Sequence, residues 1–315
     1  MKKVIVTTTI HPPTEAIQKF DQLKDWTLVV AGDLKTPTDY HLEQGIYISP
    51  TDQEAYHKEL SDLIGWNSHA RRNFALLWAK DLGADVIAIV DDDNIPMENW
   101  GKELRLDREV ETNFYETDIE AFDPVGATNY PNLWHRGFPP ELIHKRDYSK
   151  KSRKKVRVDI QADFWNGDPD VDALCRMRYA PNCVFDPACF PIASNRPSPF
   201  NSQNIFITKE ILPKCFFLPH ITPLGRMSDI WISYHLQSLG FQVVYFEPSV
   251  YQDRNEHDVV TDLNDEMLGY EKCLELVSEV NNGTYQKEFF WPERTLRAYE
   301  VFRQEASHIR SEASI

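Results

Sequence analysis

Short apolar segments alternate with amphipathic ones through the first 90 residues, and this alternation restricts the fold more than any other feature. Apolar or β-branched runs at 4–9, 26–31 and 86–90 predict buried strands, and a shorter strand is predicted at 46–48. Between them, residues 68–82 carry apolar side chains at the spacing of an amphipathic helix. Strands separated by helices in this way form a parallel α/β sheet with right-handed crossovers.

The rest of the chain continues this pattern. Further strands are predicted at 204–208 and 243–246, and helices at 265–280 and 293–311. We therefore predict a mostly parallel, Rossmann-like sheet flanked by helices, with further helices at the C-terminal end. The predicted organisation is one domain, 1–262, made of halves 1–110 and 111–262, followed by a helical extension, 263–315.

Carboxylates follow two of the predicted strands, at the edge of a parallel sheet where ligands bind. Asp33 follows the second strand, and Asp91, Asp92 and Asp93 follow the fourth. In an extended chain Asp91 and Asp93 lie on one side and Asp92 on the other. Adjacent carboxylates repel, and a hard divalent cation with oxygen ligands compensates them. The triplet alone fits either such a cation site or an acidic solvated turn.

Two arginines and an asparagine begin the helix that precedes the aspartate strand. Arg71 or Arg72 would point along the sheet edge to a phosphate, for which a guanidinium offers two parallel donors. The alternative is that both arginines are ordinary surface residues of an amphipathic helix. Asn73 belongs to the same candidate group.

Charge and cysteine content restrict the class of protein. The formal net charge is −15, which argues against a nucleic-acid backbone binder but leaves room for a local basic groove, such as residues 150–157. The 5 cysteines form no CxxC pair and predict reduced thiols. No apolar run approaches the ~20 residues needed to span a bilayer. We expect a soluble, cytoplasmic protein.

Five short stretches carry a family resemblance. They are VVAGDLKTP at 29–37, IAIVDDDN at 87–94, RGFPPELI at 136–143, FWNGDPDVDA at 164–173 and GRMSDIW at 225–231. In this order they resemble the nucleotide-sugar core of GT-A glycosyltransferases. More specifically, they are similar to the reversibly glycosylated polypeptides, which are UDP-arabinopyranose mutases, and to the STELLO-type glycosyltransferase-like proteins.

The resemblance implies a metal-dependent glycosyltransferase with a nucleotide-diphosphate sugar donor, expected to be UDP-linked, and an unidentified acceptor. Asp91 and Asp93 would hold Mn²⁺ or Mg²⁺ on the diphosphate, and Asp33 would face the nucleobase. The residues expected to bind the nucleotide sugar are Thr8, Asp33, Arg71, Arg72, Asn73 and Asp92. A homo-oligomer is also compatible with the related mutases.

Two residues are implied to be catalytic. Arg136 falls where the mutases carry an arginine that is reversibly glycosylated, and Asp229 falls where GT-A enzymes place an acid near the acceptor. Asp229 would be the general base of an inverting reaction. The alternatives are a structural arginine, and an acid favoured by the dipole of the helix that begins there.

The stretch 163–176 offers an aromatic ring for a sugar face and polar groups for its hydroxyls. Its candidate sugar or acceptor contacts are Trp165, Asn166, Asp170 and Asp172. In a retaining reaction Asp168, Asp170 or Asp172 would be considered as the nucleophile. The alternative is a turn in which the aspartates bond backbone N–H groups.

One departure from the mutases concerns the metal. Gln252 stands where they have a metal-binding histidine, and His257 lies five residues further on. Either His257 or Gln252 would complete the metal shell. The departure counts against a strict mutase. Three functions are considered: a glycosyltransferase, which we favour, a UDP-sugar pyranose–furanose mutase, and a non-catalytic partner of other glycosyltransferases.

Overall fold

The computed structural model describes residues 1–219, 225–253 and 258–308. Eleven strands form one sheet in these residues: β1 Lys3–Thr9, β2 Thr27–Gly32, β3 Ile46–Ile48, β4 Val86–Val90, β5 Asn94–Pro96, β6 Glu109–Tyr115, β7 Lys151–Arg157, β8 Ile160–Gly167, β9 Ile192–Ser194, β10 Asn204–Thr208 and β11 Val243–Gln252. The α-helices of the same residues are α1 Glu15–Asp21, α2 Pro50–Tyr56, α3 Lys58–Ile64, α4 Arg72–Asp81, α5 Ala173–Tyr179, α6 Ser228–Ser238, α7 Val259–Asn282 and α8 Glu293–Ser307.

The sheet has the strand order β3-β2-β1-β4-β10-β8-β11-β9-β6-β7, and β5 pairs with β11 off this path. The first four strands are mutually parallel, and β10 is antiparallel to both of its neighbours. Following the pairings, seven of the eleven described strands (β1 to β4, β7, β8 and β11) run in one direction and four in the other. The predicted α/β, GT-A-like class is confirmed.

The N-terminal strands and helices follow the predicted pattern closely. All five residues of β4 are buried, as expected for a strand covered on both faces of a parallel sheet. Thr14 caps α1 by accepting a hydrogen bond from the N–H of Ile17 at 3.2 Å. The helix predicted at 68–82 is divided: its first turn is a 3-10 turn, His69–Arg71, and α4 begins at Arg72.

The C-terminal helices differ slightly from the prediction. Helix α7 begins at Val259, after the N-cap Asp258, so the predicted domain boundary at residue 262 lies inside it. Helix α8 begins directly after Pro292, as predicted. Helix α7 packs on α5 and α6, whereas α8 packs on α3 and α4. Both therefore lie against helices that flank the sheet.

The basic run at 150–157 forms the edge strand β7. Arg153 pairs with Glu111 at 3.0 Å, and Arg157 pairs with Asp107 at 2.8 Å and Asp159 at 3.1 Å. These side chains are largely exposed, and charged edge strands protect a sheet from unwanted pairing. Acidic neighbours thus offset much of this basic run.

Candidate functional site

Two adjoining compartments open at the carboxyl ends of the N-terminal strands. The threonine compartment, of about 380 Å³, is lined by Thr8, Thr9, Ile10, His11, Asp33, Lys35, Asn67, Ser68, His69, Arg72, Asp91, Asp92 and Asp93. The arginine compartment, of about 210 Å³, is lined by His69, Arg72, Asp91, Asp93, Arg136, Asp170, Ser202, Gln203, Arg226, Asp229 and Gln252. Their position matches the ligand edge expected for an open α/β sheet.

Four residues line both compartments: His69, Arg72, Asp91 and Asp93. Arg72 is buried at the start of α4, and its Nη2 donates a hydrogen bond to Asp91 Oδ1. The pKa of Asp91 is raised, because burial outweighs the opposing attraction of Arg72. The wall between the compartments therefore contains the ion pair of Arg72 with Asp91. The raised pKa of Asp91 indicates that its carboxylate favours further positive charge.

The three aspartates lie in a turn after β4 and line the two compartments differently. Asp92 lines the threonine compartment but not the arginine compartment, and its side chain accepts a hydrogen bond from Thr9 Oγ1. The main-chain oxygen of Asp92 accepts another from Thr14. Asp91 and Asp93 reach both compartments. Two of the three carboxylates thus face both compartments.

Gln252 brings an amide oxygen to the same wall. It ends β11, where its backbone pairs with Asn94 of β5, directly after the triplet. The side chain of Gln252 is only 3% exposed, and among the described residues its Oε1 has no hydrogen-bond partner. A buried amide oxygen of this kind needs a donor or a cation. Asp91, Asp93 and Gln252 line the same compartment, and their side chains carry the oxygen donors that Mg²⁺ and Mn²⁺ prefer.

The other candidate for the third ligand, His257, lies outside the described residues. Within those residues no group of three or more His, Cys, Asp or Glu side chains is arranged to hold a metal ion. An amide ligand such as Gln252 would not be counted in such a group. The choice between Gln252 and His257 stays a prediction.

Arg136 lies between two carboxylates in the arginine compartment. Its Nε and Nη2 donate to Asp170 at 2.8 Å each, and its Nη1 and Nη2 donate to Asp229 at 2.9 and 3.0 Å. Burial alone would lower the pKa of Arg136, but the two carboxylates raise it well above its ordinary value. Burial would likewise raise the pKa of Asp229, but Arg136 lowers it. The three residues form a buried, charge-compensated cluster.

This cluster corrects the two catalytic assignments. Arg136 is only 5% exposed and is held by both neighbouring carboxylates, so its guanidinium is not presented as a nucleophile. Asp229 also accepts hydrogen bonds from the backbone N–H groups of Ser202 and Ile230. A carboxylate with these donors and a lowered pKa is a weak base.

The adjacent residues Arg71 and Asn73 also need correction. Arg71 is fully buried away from both compartments, where it donates to Gln53, Ser61 and the main-chain oxygen of Gly65. Its guanidinium stacks on the ring of Trp66 at 3.6 Å. The side-chain amide of Asn73 donates a hydrogen bond to the main-chain oxygen of Phe217 and accepts one from the N–H of the same residue. Both residues hold the helix in place rather than contact a phosphate.

Three of the four predicted sugar contacts also have internal roles. Trp165 is 3% exposed and packs on His135 and Phe164, so its ring is not an open platform. Asp172 caps α5 and accepts hydrogen bonds from Trp134 Nε1 and the N–H of Cys175, so its oxygens are used. Asn166 accepts a bond from the N–H of residue 185 and lines neither compartment.

The fourth, Asp170, does line the arginine compartment. Its bonds to Arg136 and to Asn201 leave it poorly suited to act as a nucleophile. Asp168, also considered for that role, lines neither compartment and pairs with Arg176 at 2.5 Å.

Asp33 and Thr8 lie in the threonine compartment but already have protein partners. The carboxylate of Asp33 accepts hydrogen bonds from the N–H groups of Asn67 at 2.9 Å and Ser68 at 3.0 Å. It thereby fixes the turn that leads into α4. The hydroxyl of Thr8 donates to the main-chain oxygen of Ala31 at 2.7 Å. Contacts of either residue with a nucleotide stay predictions.

Four residues that line the arginine compartment were not predicted from the sequence: His69, Ser202, Gln203 and Arg226. His69 Nε2 lies 2.7 Å from Ser228 Oγ, a hydroxyl at the start of α6. Arg226 is held by Glu266 at 3.0 Å and Asp262 at 3.2 Å, both on α7. No local pattern marks His69 and Arg226, because each is held at the site by a contact with a distant helix.

The sheet, the acidic strand end and the adjoining compartments together define a GT-A-like protein. The chain is 25% identical over 187 residues to a protein named probable glycosyltransferase STELLO2, from Arabidopsis thaliana, and 24% identical over 187 residues to STELLO1 from the same plant. These matches confirm the predicted resemblance to STELLO-type glycosyltransferase-like proteins. No protein-family model matches the chain.

The match covers 55% of this chain and 24% of each relative, so the chain spans about a quarter of the length of the curated relatives it matches. Both relatives are named as probable glycosyltransferases. Among the described helices, none is both long and apolar enough to span a lipid bilayer.

Proposed function

We propose that the chain is a metal-dependent glycosyltransferase that uses a nucleotide-diphosphate sugar, with UDP as the expected nucleotide. The observation that carries the proposal is the wall of Arg72, Asp91 and Asp93 between two compartments of unequal size. The larger threonine compartment would take the nucleoside and the smaller arginine compartment the sugar. The diphosphate that joins them would then lie at the wall.

The groups at the wall suit a diphosphate. Arg72 offers a buried guanidinium, and Asp91, Asp93 and Gln252 offer oxygen ligands to Mn²⁺ or Mg²⁺. A bound divalent cation would neutralise the charge that develops on the leaving diphosphate. Without such a cation, the carboxylates of the wall would repel the phosphates.

The arginine compartment would hold the sugar by hydrogen bonds. Its walls include Gln203, Ser202 and the outer parts of the Arg136 cluster. Because the carboxylates of that cluster are fixed by Arg136, they would orient sugar hydroxyls without large rearrangement. Thr8 and Asn67 line the threonine compartment and would contact the nucleoside there.

The alternative of a UDP-sugar mutase gains no specific support from this arrangement. In that reading Arg136 takes part in the reaction, but its guanidinium is bound to Asp170 and Asp229. The alternative of a non-catalytic partner predicts that the acidic wall is dispensable. A test of the wall therefore discriminates between the first and third functions.

Calorimetry of nucleotide binding tests the proposal. UDP, GDP, dTDP and CMP, and their sugar conjugates, would be titrated into the protein with Mn²⁺ and with EDTA. We expect binding of UDP and of at least one UDP-sugar with Mn²⁺, and a loss of more than about tenfold in affinity without it, since the metal bridges like charges.

The matched variants are Asp91→Asn with Asp93→Asn, and Asp39→Asn as an exposed carboxylate outside both compartments. The double variant should lose the metal-dependent part of binding, and Asp39→Asn should keep it. Metal-independent binding in the double variant, or no binding of any nucleotide to the wild type, would count against the proposal.

A further inference from the structure

The proposed reaction needs a proton acceptor, and three carboxylates of the arginine compartment, Asp91, Asp170 and Asp229, are poorly suited to that role. Transfer of a sugar to a hydroxyl requires a group that accepts the hydroxyl proton. Asp170 and Asp229 are both bound by Arg136, and Asp91 is bound by Arg72. A carboxylate that already accepts hydrogen bonds from a guanidinium binds a further proton weakly.

His69 lies where the proton acceptor of the proposed reaction is needed. It follows the buried Ser68, and the N–H of residue 68 is fixed by Asp33. Its ring lies at the wall and lines both compartments, so it adjoins the place where the bond between sugar and diphosphate would lie. A neutral imidazole accepts protons near neutral pH, unlike an ion-paired carboxylate.

Ser228 orients this imidazole. Its hydroxyl lies 2.7 Å from His69 Nε2, and the serine side chain is fully buried at the start of α6. Burial restricts the hydroxyl to few partners, so the contact restrains the orientation of the ring with either atom as the donor. The pair also connects the 3-10 turn before α4 to the helix that carries Asp229.

We infer that His69, held by Ser228, is the proton acceptor for the acceptor hydroxyl in the proposed transfer reaction. The hydroxyl proton moves to the imidazole as the hydroxyl oxygen bonds to the anomeric carbon of the sugar. The bond from that carbon to the diphosphate oxygen breaks, and its electron pair leaves with the nucleoside diphosphate. The imidazolium then returns the proton to water.

The charges around His69 favour this role. Among the described residues, the ionisable groups that share its compartments or face it are His11, Asp33, Lys35, Arg72, Asp91, Asp92, Asp93, Arg136, Asp170, Arg226 and Asp229. The nearby carboxylate of Asp229 stabilises an imidazolium as it forms. Asp229 therefore acts as a positioning residue rather than as the base.

The inference rests on the proposed function, and its test separates binding from chemistry. The probe reaction is release of UDP from UDP-glucose, UDP-galactose, UDP-xylose and UDP-arabinopyranose with Mn²⁺, where water serves as acceptor. The binding of the same compounds would be measured by calorimetry. In His69→Gln we expect Kd to stay within about threefold, while kcat falls about 100-fold or more, the range of general base catalysis.

Three further variants sharpen the test. His41→Gln, an exposed histidine outside both compartments, should match the wild type. Ser228→Ala should lower kcat less than His69→Gln and shift its pH profile. His69→Gly should regain activity when imidazole is added, which a purely structural histidine would not do.

Two results would overturn the inference: an unchanged kcat and pH profile in His69→Gln, or a kcat that falls only because Kd rises by the same factor. If the wild type binds no UDP compound at all, the proposed function fails and not merely the role of His69. If the wild type binds but His69→Gln turns over normally, the role of His69 fails while the proposed function stands.

Discussion

Around Arg71 a buried guanidinium is surrounded by neutral oxygens and aromatic rings, whereas around Arg136 a buried guanidinium lies between two carboxylates. Burial lowers the pKa of Arg71 to about 10, while Asp170 and Asp229 raise that of Arg136. The first arrangement holds α2, α3 and the start of α4 together. The second builds a wall of the compartment. The buried charge of Arg71 thus stabilises the packing of helices, whereas the buried charge of Arg136 shapes the candidate site.

The largest expected effect follows from removing Arg136. Arg136→Met leaves Asp170 and Asp229 buried without their cation, and we expect a loss of about 3–5 kcal/mol in the free energy of unfolding. Urea denaturation at neutral pH would measure it. Adding Asp170→Asn and Asp229→Asn to the same chain should recover part of this loss, because no uncompensated charge then remains.

The control for this prediction is Arg153→Met, which breaks the exposed pair with Glu111. It should cost less than about 1 kcal/mol, as surface pairs do. Equal losses of unfolding free energy in the two variants would show that the buried Arg136 cluster stabilises the fold no more than the exposed pair does.

Asp163 is another buried carboxyl group; no salt bridge to it is found among the described residues, and it should make stability depend on pH. Burial raises its pKa to about 7, against hydrogen bonds from Gln161 and Ser249. The folded state therefore binds the proton more tightly than the unfolded state. This contribution to stability is present below about pH 4 and is lost as pH rises through about 7.

Asp163→Asn removes this titration. Relative to the variant, the wild type should lose roughly 2–4 kcal/mol between pH 4 and pH 8, measured by urea denaturation at each pH. Asp39→Asn, at an exposed site, should show the wild-type dependence. Parallel curves for the wild type and Asp163→Asn would contradict the prediction.

The two adjacent arginines at the start of α4 should behave in opposite ways. Arg71→Met should lower the free energy of unfolding by about 2 kcal/mol, because Gln53 and Ser61 lose a charged donor. The folded variant should still bind UDP with Mn²⁺. Arg72→Met should instead weaken UDP binding by about tenfold or more, since it removes a cation from the wall. Calorimetry and urea denaturation of both variants test the pair, and equal effects would contradict it.

The smallest expected effect concerns Gln252. Gln252→Ala should weaken binding of Mn²⁺ in the presence of UDP by about tenfold, the loss typical of one supporting group at a metal site. Gln252→His should retain it, because imidazole is also a Mn²⁺ ligand. Paramagnetic resonance of free Mn²⁺ gives the affinity directly, and an unchanged affinity in Gln252→Ala would favour His257 as the ligand.

The strand pattern and the acids at strand ends were predictable because both are local properties. A run such as 86–90, apolar throughout, predicts a strand covered on both faces, and the residues after it must reach the sheet edge. The expected alternation of a strand separates Asp92 from Asp91 and Asp93, and the same separation is found although the three residues lie in a turn after β4. None of these inferences needs a tertiary contact.

Residues that depend on distant partners were not predictable. Arg71 and Arg72 look equivalent in sequence, and only the packing of α2 and α3 against one of them separates their roles. Trp165 lies in a strand buried on both faces, so its ring is covered by Phe164 and His135. Asp172 is different, because the alternative of an aspartate that bonds backbone N–H groups holds for it: its side chain accepts from the N–H of Cys175 and caps α5.

The pairing of β5 with β11 has a consequence for exchange of backbone protons. Asn94 pairs with Gln252, the N–H of Asp253 donates to the main-chain oxygen of Asp93, and the N–H of Asp168 donates to that of Gln252. Chain segments far apart in sequence are thus tied to one another beneath the wall. In D₂O the amides of Asp253 and Asp168 should retain their protons long after those of exposed turns, even with no nucleotide present. Slow exchange of these two amides would mean that this part of the site is already folded in the absence of a ligand.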